Sequence, residues 1–441
     1  MKLIFSRGWH PRYAAPIAWM LVLSAIALGG LVLSGPRAVT AVAAGSTALG
    51  VPGRANAHVS LASSGRLVVA AWAATLTDGT TDVFVAVSRD NGAVFETPVR
   101  VNRTPGEARI NGEQPPRVTI SARSAGSSRI SVLWTAKAAA GTVLLTAHSE
   151  DEGRTFGPST PIPGTNSPGN RGWQAIGTAP SGRMHAVWLD HRRLAGGATH
   201  RHGEGHQATS HDGVAMAQQS DLYFDTLGDP IEPRAITSGV CYCCKTALAY
   251  GAAGEIYLAW RHVYPGNLRD IAFSASTDGG RTFSAPVRVS EDRWQLDGCP
   301  DDGPSLSTDR SGGIHLVWPA VIEENSAPVK ALFYSRSRDG RTFTPRVRLP
   351  TQAQANHPQI AVGHDGTLLV AWDEAARGTR QVVWARGRAE AAGTMAFART
   401  PIQEGAGVYP SVIASGRGAL VAWTSGPADR SEIRVAQIQW E

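Results

Sequence analysis

The octapeptide S-T-D-G-G-R-T-F, residues Ser276 to Phe283, recurs along this chain and decides how the rest of it is read. The same S-x-D-x-G-x-T-F pattern stands at Ser149 to Phe156 as S-E-D-E-G-R-T-F, and at Ser88 to Phe95 as S-R-D-N-G-A-V-F, with Val94 in the threonine position. A further copy, S-R-D-G-R-T-F from Ser337 to Phe343, lacks one residue between Asp339 and Thr342, which predicts a tighter turn. Asp90, Asp151, Asp278 and Asp339 can fold their carboxylates back onto backbone N–H groups, while the glycine supplies the left-handed position that closes the turn. The flanking residues alternate, as in Val83-Phe84-Val85-Ala86-Val87 before one copy and Pro286-Val287-Arg288-Val289 after another. Each copy therefore predicts the tip of a β-hairpin.

A second repeat sets the size of the unit. Apolar strands ending in Trp72, Trp134, Trp188, Trp260, Trp318, Trp372 and Trp423 recur about 50 to 70 residues apart, the length of a propeller blade. Most are preceded by a shorter strand and a glycine turn, so each unit reads as four antiparallel strands. Seven such units close most economically into a ring that leaves only short edges, and six is the rival count. The last unit lacks its fourth strand. Residues from about 45 to 55 are expected to supply it from the N-terminal side and lock the ring.

The octapeptide copies resemble the Asp-box, or BNR, repeat of the sialidase superfamily and related β-propellers. The resemblance implies an all-β Asp-box propeller in which Ser88, Asp90, Gly92, Ser149, Asp151, Gly153, Ser276, Asp278, Gly280, Ser337 and Asp339 are structural, on the face away from the active site. It identifies an architecture and not a reaction. Sialidases clamp a substrate carboxylate with three arginines and use a tyrosine nucleophile activated by a glutamate, together with an aspartate acid/base. That implies Arg171 and Arg261 as clamp candidates, since a guanidinium fork suits a carboxylate. Tyr409, opening the last unit, becomes the nucleophile candidate, and Asp190 an acid/base candidate beside Asp301, Asp302, Asp373 and Glu374. The family's early Arg-Ile-Pro signature is replaced here by Asn56-Ala57-His58-Val59, and the nearest pair is Pro116-Arg117, in reverse order. The arginine triad is thus incomplete. The bland reading makes the arginines rim charges, Tyr409 a packed wall residue and the tryptophans blade packing.

Composition narrows the classes. Charged residues make up 18% of the chain, and its net charge of +6 is spread without a Lys or Arg run, which argues against a nucleic-acid partner. Lys2, Arg7 and Arg12 precede an apolar stretch and then Ala41-Val42-Ala43-Ala44, the order of an export signal. The apolar stretch is also about long enough to span a bilayer. Residues 1–44 are therefore expected to be a signal peptide or membrane anchor. Residues 45–441 are expected to form the propeller outside the cytoplasm: periplasmic, secreted or membrane-anchored.

One sector is unusual. After Trp188 comes Asp190-His191 and then a glycine-rich insertion, near 190–212, that carries His200, His202, His206 and His211. The next unit opens with Cys241-Tyr242-Cys243-Cys244-Lys245, and the one after it with Gly298-Cys299-Pro300. Loops that follow second strands and segments that open blades share one propeller face, so these groups are expected at one mouth of the central channel. Thiolates and imidazoles are ligands for copper or zinc. The alternative is disulfide chemistry, with Cys241 or Cys243 bridging to Cys299 and the remaining pair linking locally. Function reads as a ligand- or partner-binding propeller with a Cys/His metal site, the partner being a small molecule, a glycan or an envelope protein. The alternatives are an exo-sialidase-type glycosidase acting on a terminal acidic sugar and an envelope assembly scaffold.

Overall fold

A computed structural model describes residues 45–439 apart from 124–125, 195–209, 297, 299, 377, 391–393 and 417. Seven four-stranded antiparallel sheets account for the described strands, as the tryptophan repeat predicts. The octapeptide turns join the third and fourth strands of their sheets: Ile271–Ser276 precedes the central copy and Val287–Arg288 follows it. The expected closure is present. Thr47–Leu49 pairs with Glu432–Gln439, Thr47 opposite Val435 and Leu49 opposite Ile433, so the seventh sheet takes its outermost strand from the start of the described chain.

The tryptophans lie within the second strands, which run on past them, as in Leu67–Thr75, Ser128–Ala138 and Ile314–Glu324, rather than ending there as the sequence pattern suggests; those strands are buried on both faces. All seven rings are almost wholly excluded from solvent, and most of their indole N–H groups are satisfied within the blade: Trp72 donates to Asn56 Oδ1 (2.9 Å), Trp318 to Asp292 Oδ2 (2.6 Å) and Trp372 to Glu374 Oε2 (2.9 Å). They are blade-packing residues. His185 and His315, in the same strands, bond to Tyr250 and Tyr334 through Nδ1 at 3.0 and 2.8 Å.

In the turns, Ser276 Oγ donates to Asp278 Oδ1 (2.8 Å) and accepts from Gly280 N (2.9 Å), while Asp278 accepts from the Thr282 N–H (2.9 Å) and hydroxyl (2.6 Å). The shortened copy closes one residue earlier, with Asp339 accepting from Thr342 N at 2.8 Å. Gly280 has φ +87°, and a Cβ there would press into the Phe224 ring of the preceding blade.

The insertion after Trp188 contributes a short helix, Ser210–Gln218. His200, His202 and His206 lie outside the described residues, as does the apolar N-terminal stretch. No described helix is long and apolar enough to cross a membrane.

Candidate functional site

The innermost strands, Ala55–Ser64, Arg117–Ala122, Arg171–Thr178, Ala247–Tyr250, Ser305–Thr308, Ala355–Val362 and Val408–Ser415, surround a central channel. Its volume is about 160 Å³, and its wall includes Ser60, Arg117, Lys245, Ser305, Gln359 and Ser411. Four of these strands begin with the same distortion. A bulge interrupts pairing between Ala57 and Ser60, Gly172 and Ala175, Asn356 and Gln359, and Val408 and Ser411. Within each bulge one non-glycine residue is left-handed: His58 (φ 62°), Trp173 (55°), His357 (55°) and Tyr409 (54°). Left-handed backbone in such residues costs on the order of 1–3 kcal/mol each and persists where the surroundings impose it, most often at functional sites. In three of the four the bulge turns the side chain inward over the channel, whereas Trp173 packs into the blade core.

His58, His357 and Tyr409 meet there. The His357 and Tyr409 rings lie 3.9 Å apart, and His58 meets Tyr409 edge-on at 5.6 Å. Gly112 lies under the phenol, where any Cβ would overlap the ring. Glu113, Arg117 and Lys245 complete the small hollow above the channel.

A polar network beneath the hollow ties the blades. Glu113 Oε2 accepts from the backbone N–H groups of Lys245 (3.0 Å) and Gly303 (2.9 Å), and its Oε1 takes Lys245 Nζ at 3.2 Å. Asp302 accepts from Lys330 Nζ (2.9 Å) and His357 N (3.1 Å). His357 Nδ1 bonds to Asp373 Oδ2 at 2.6 Å, the same carboxylate accepts from Tyr409 N at 3.0 Å, and Arg380 closes on its other oxygen. Glu113, Lys245, Asp302 and Asp373 are all buried. Ions this dry hold only when each is paired, so the network acts as a brace.

Burial sets the protonation states. It pushes His58 down to about 4, with the neighbouring His357 adding to the effect, so His58 is a neutral imidazole. His357 is also buried, but Asp373 and Asp302 outweigh that and raise it above its ordinary value. Burial and the carboxylates of Glu113, Asp301, Asp373 and Asp302 push the Tyr409 phenol far up, so it stays protonated. Burial and the Glu113 charge carry Asp301 up to about 7. Burial lowers Arg117 to about 10, where it remains a cation at neutral pH. Arg117 Nε donates to Gln174 O at 3.0 Å, and its terminal amino groups have no hydrogen-bond partner among the described residues. The same is true of the Tyr409 hydroxyl and of His58 Nδ1, which is buried.

The other candidates fall elsewhere. Arg171 is fully buried, and its guanidinium binds Gly169 O (2.8 Å), Ser167 Oγ (2.6 Å) and Asp190 (3.3 Å). Arg261 is equally buried, donating to the carbonyls of Arg269 (2.7 Å), Pro319 (2.7 Å) and Asp302 (3.1 Å) and stacking on Trp294. Neither offers a fork to a channel ligand, because backbone carbonyls already occupy the donors. Asp190 is spent on Trp188, Arg171 and Arg192. Strand alternation separates Asp373, which faces the mouth, from Glu374, which turns into the blade to Trp372 and Arg399. Sequence reasoning missed Glu113, Lys330 and Arg380. Glu113 precedes its inner strand in a loop with no repeat pattern, and its role depends on blades four and five.

Cys241, Cys243 and Cys244 are buried between the third and fourth blades, among Leu222, Phe224 and Trp260. Cys241 and Cys244 are free thiols, whereas Cys243 is disulfide-bonded. This corrects the expectation of a second, local disulfide: the local pair is reduced. Cys299 lies outside the described residues. Burial opposes ionisation of Cys241, but Cys244 and the Arg269 and Arg261 charges bring it down to about 6, while burial drives Cys244 well up. His191 is buried against Trp173, ring centroids 5.1 Å apart. The His211 side chain is not among those described.

A larger concavity of about 650 Å³ lies at the other end of the inner strands, beside Asp90, Ser415 and Gln437. Asp90 is the one titratable group among its described lining residues, so chemistry concentrates at the mouth.

Comparison with known proteins places the fold. No protein-family model matches the chain, and no curated protein sequence matches it. Among solved structures it is similar to an ulvan lyase of a new polysaccharide lyase family, bound to -[GlcA(1-4)Rha3S]-, with a TM-score of 0.53 at 12% identity over 90% of this chain and 96% of that one. It is also similar to a Hadza microbial sialidase (TM-score 0.44, 15% identity, 81% of this chain and 73% of that one). A Penicillium chrysogenum alpha-L-arabinanase is a further neighbour (TM-score 0.45, 12% identity, 89% and 98%). The chain is a seven-bladed β-propeller whose fold neighbours include sialidase, polysaccharide lyase and arabinanase propellers.

Proposed function

We propose that this protein is an exported propeller that binds an acidic glycan at the channel mouth and cleaves it by proton transfer. The observation that carries this reading is the convergence of His58, Tyr409 and Arg117 on one hollow, with Nδ1 of the first, the hydroxyl of the second and the terminal amino groups of the third left unpartnered among the described residues. A neutral imidazole is a base, a protonated phenol is an acid, and a guanidinium neutralises a carboxylate. Together they suit β-elimination at a uronate. His58 removes the proton α to the carboxylate, Tyr409 protonates the departing glycosidic oxygen, the C4–O bond breaks and a C4=C5 double bond forms. The -[GlcA(1-4)Rha3S]- bound to the ulvan lyase neighbour contains glucuronate and belongs to this class.

The second reading is hydrolysis of a terminal acidic sugar. It is favoured by Asp301, whose near-neutral carboxyl suits acid/base work. Purified protein incubated with uronate-containing polysaccharides and with a fluorogenic sialoside separates the two. Elimination produces an unsaturated uronate chromophore, and hydrolysis yields reducing ends without it. If neither product forms but calorimetry shows saturable glycan binding that Arg117→Ala weakens, the cleavage step is withdrawn and a binding propeller remains. Absence of binding removes the glycan reading altogether.

A further inference from the structure

The three cysteines that open the fourth blade play no part in the channel chemistry, and their arrangement points elsewhere. Cys241 Sγ lies 3.7 Å from Cys244 Sγ and 4.0 Å from Cys243 Sγ, and all three sulfurs fall within 4.8 Å of one another. Three sulfurs bound in a plane about 2.3 Å from a common centre stand about 4 Å apart.

The surroundings supply matching charge. Arg269 is fully buried, and its Nη1 donates to Cys241 Sγ at 3.1 Å, while its Nη2 is buried with no partner among the described residues. Arg261 accepts the Cys241 N–H on its own carbonyl (2.8 Å) and donates to the Arg269 carbonyl (2.7 Å), so a second buried guanidinium adjoins the cluster. A monovalent metal on three thiolates carries two negative charges, and two guanidinium ions offset them. A divalent ion would leave an excess of positive charge and would call for a further ligand. The three cysteines belong to a buried apolar cluster that also holds Leu222 and Trp260, surroundings that favour a soft ion.

We propose that Cys241, Cys243 and Cys244 form a trigonal Cu(I) site that becomes available when the Cys243 disulfide is reduced. Opening it takes two electrons and two protons from a dithiol reductant, which leaves as its own disulfide while Cys243 and its partner sulfur become thiols. Cu(I) then displaces the protons of the three thiols and binds without change of oxidation state. The surplus guanidinium donor of Arg269 gains a thiolate acceptor.

The test uses the full chain without a His tag. It is reduced with dithiothreitol, desalted anaerobically and titrated with Cu(I) against bicinchoninate. One Cu(I) per chain with a sulfur-to-copper charge-transfer band is expected from the reduced protein, and affinity at least about tenfold weaker from unreduced protein. Arg269→Leu is expected to weaken binding by about tenfold and Arg269→Lys to restore most of it, since a hydrogen bond to a charged group is worth about that much. Cys241→Ser and Cys244→Ser are each expected to abolish the band, with near-ultraviolet circular dichroism checking the fold. Reduced, folded protein that yields all its Cu(I) to bicinchoninate would overturn the proposal, as would Cu(I) retained by the Cys241→Ser, Cys244→Ser double variant. Retention of Zn(II) in preference to Cu(I) would overturn the choice of metal. If the serine variants fail to fold, the reduced and unreduced wild-type chains and the Arg269 pair decide.

Discussion

The two faces of the propeller handle polar groups in opposite ways. On the face of the octapeptide turns, each turn aspartate is satisfied within five residues of itself: Asp278 exchanges its side-chain bonds with Ser276 and Thr282, neighbours in sequence. At the channel mouth Glu113 reaches residues 132 and 190 positions away, and Asp302 reaches His357. The turn aspartates take these hydrogen bonds from their own turns and from no other blade. The second face exists only when blades one, two, four, five, six and seven are assembled, and there left-handed backbone and unpartnered polar groups gather. Local satisfaction yields a turn, whereas satisfaction across blades with donors left over yields a site.

The contrast breaks most decisively at the brace. Lys245→Met leaves Glu113 and Asp302 buried without one of their cations and is expected to cost about 3–5 kcal/mol of stability in denaturant unfolding. A change below about 1 kcal/mol would mean the network is wet and not a brace. Next comes Tyr409→Phe, which removes the proposed acid but no described hydrogen bond. A fall in kcat of about a hundredfold or more at unchanged thermal midpoint is expected on the cleaved glycan. Equal loss of stability and activity would make Tyr409 a wall residue.

Ser276→Ala tests the other face. The buried hydroxyl accepts from Gly280 N and donates to Asp278, so its loss is expected to cost about 1–2 kcal/mol without altering glycan affinity. The smallest effect concerns pH. Burial holds His58, His185 and His262 at about 4 when folded, below the unfolded value of about 6.5. Unfolding therefore takes up protons, and stability is expected to decline as pH falls from about 6.5 through about 4. His357, raised above its unfolded value, contributes in the opposite sense: its stabilisation is present below about 6.5 and is lost as pH rises through its folded pKa. His185→Gln, which can keep a bond to Tyr250, is expected to flatten the acid slope in thermal melts between pH 4 and 7.

The architecture was legible because its signals are short-range and repeated. A tryptophan in each second strand and a serine, aspartate and glycine at fixed offsets specify strand and turn wherever they fall. The missing residue before Thr342 even foretold the earlier closure of that turn. Even the closing strand could be counted, since the last unit was one short. Site residues were partly visible. Lys245 and Tyr409 stand in segments that open units and so mark the channel, whereas Arg171 and Arg261 open or end strands in similar places and point into their own blades. Spacing places a Cα; it does not choose between channel and core.

By itself, then, the order of amino acids determined a ring of four-stranded sheets, its closure from the start of the chain and the face on which each loop emerges, since period-two alternation and turn chemistry act over a few residues. Tertiary structure alone decided that burial lowers His58 while Asp373 raises His357, that Arg117 keeps donors to spare while Arg171 does not, and that three sulfurs lie within 4.8 Å of one another. Those outcomes depend on burial and on charges brought from other blades, and electrostatic energy is set by distance in space, which the chain acquires only when the ring closes.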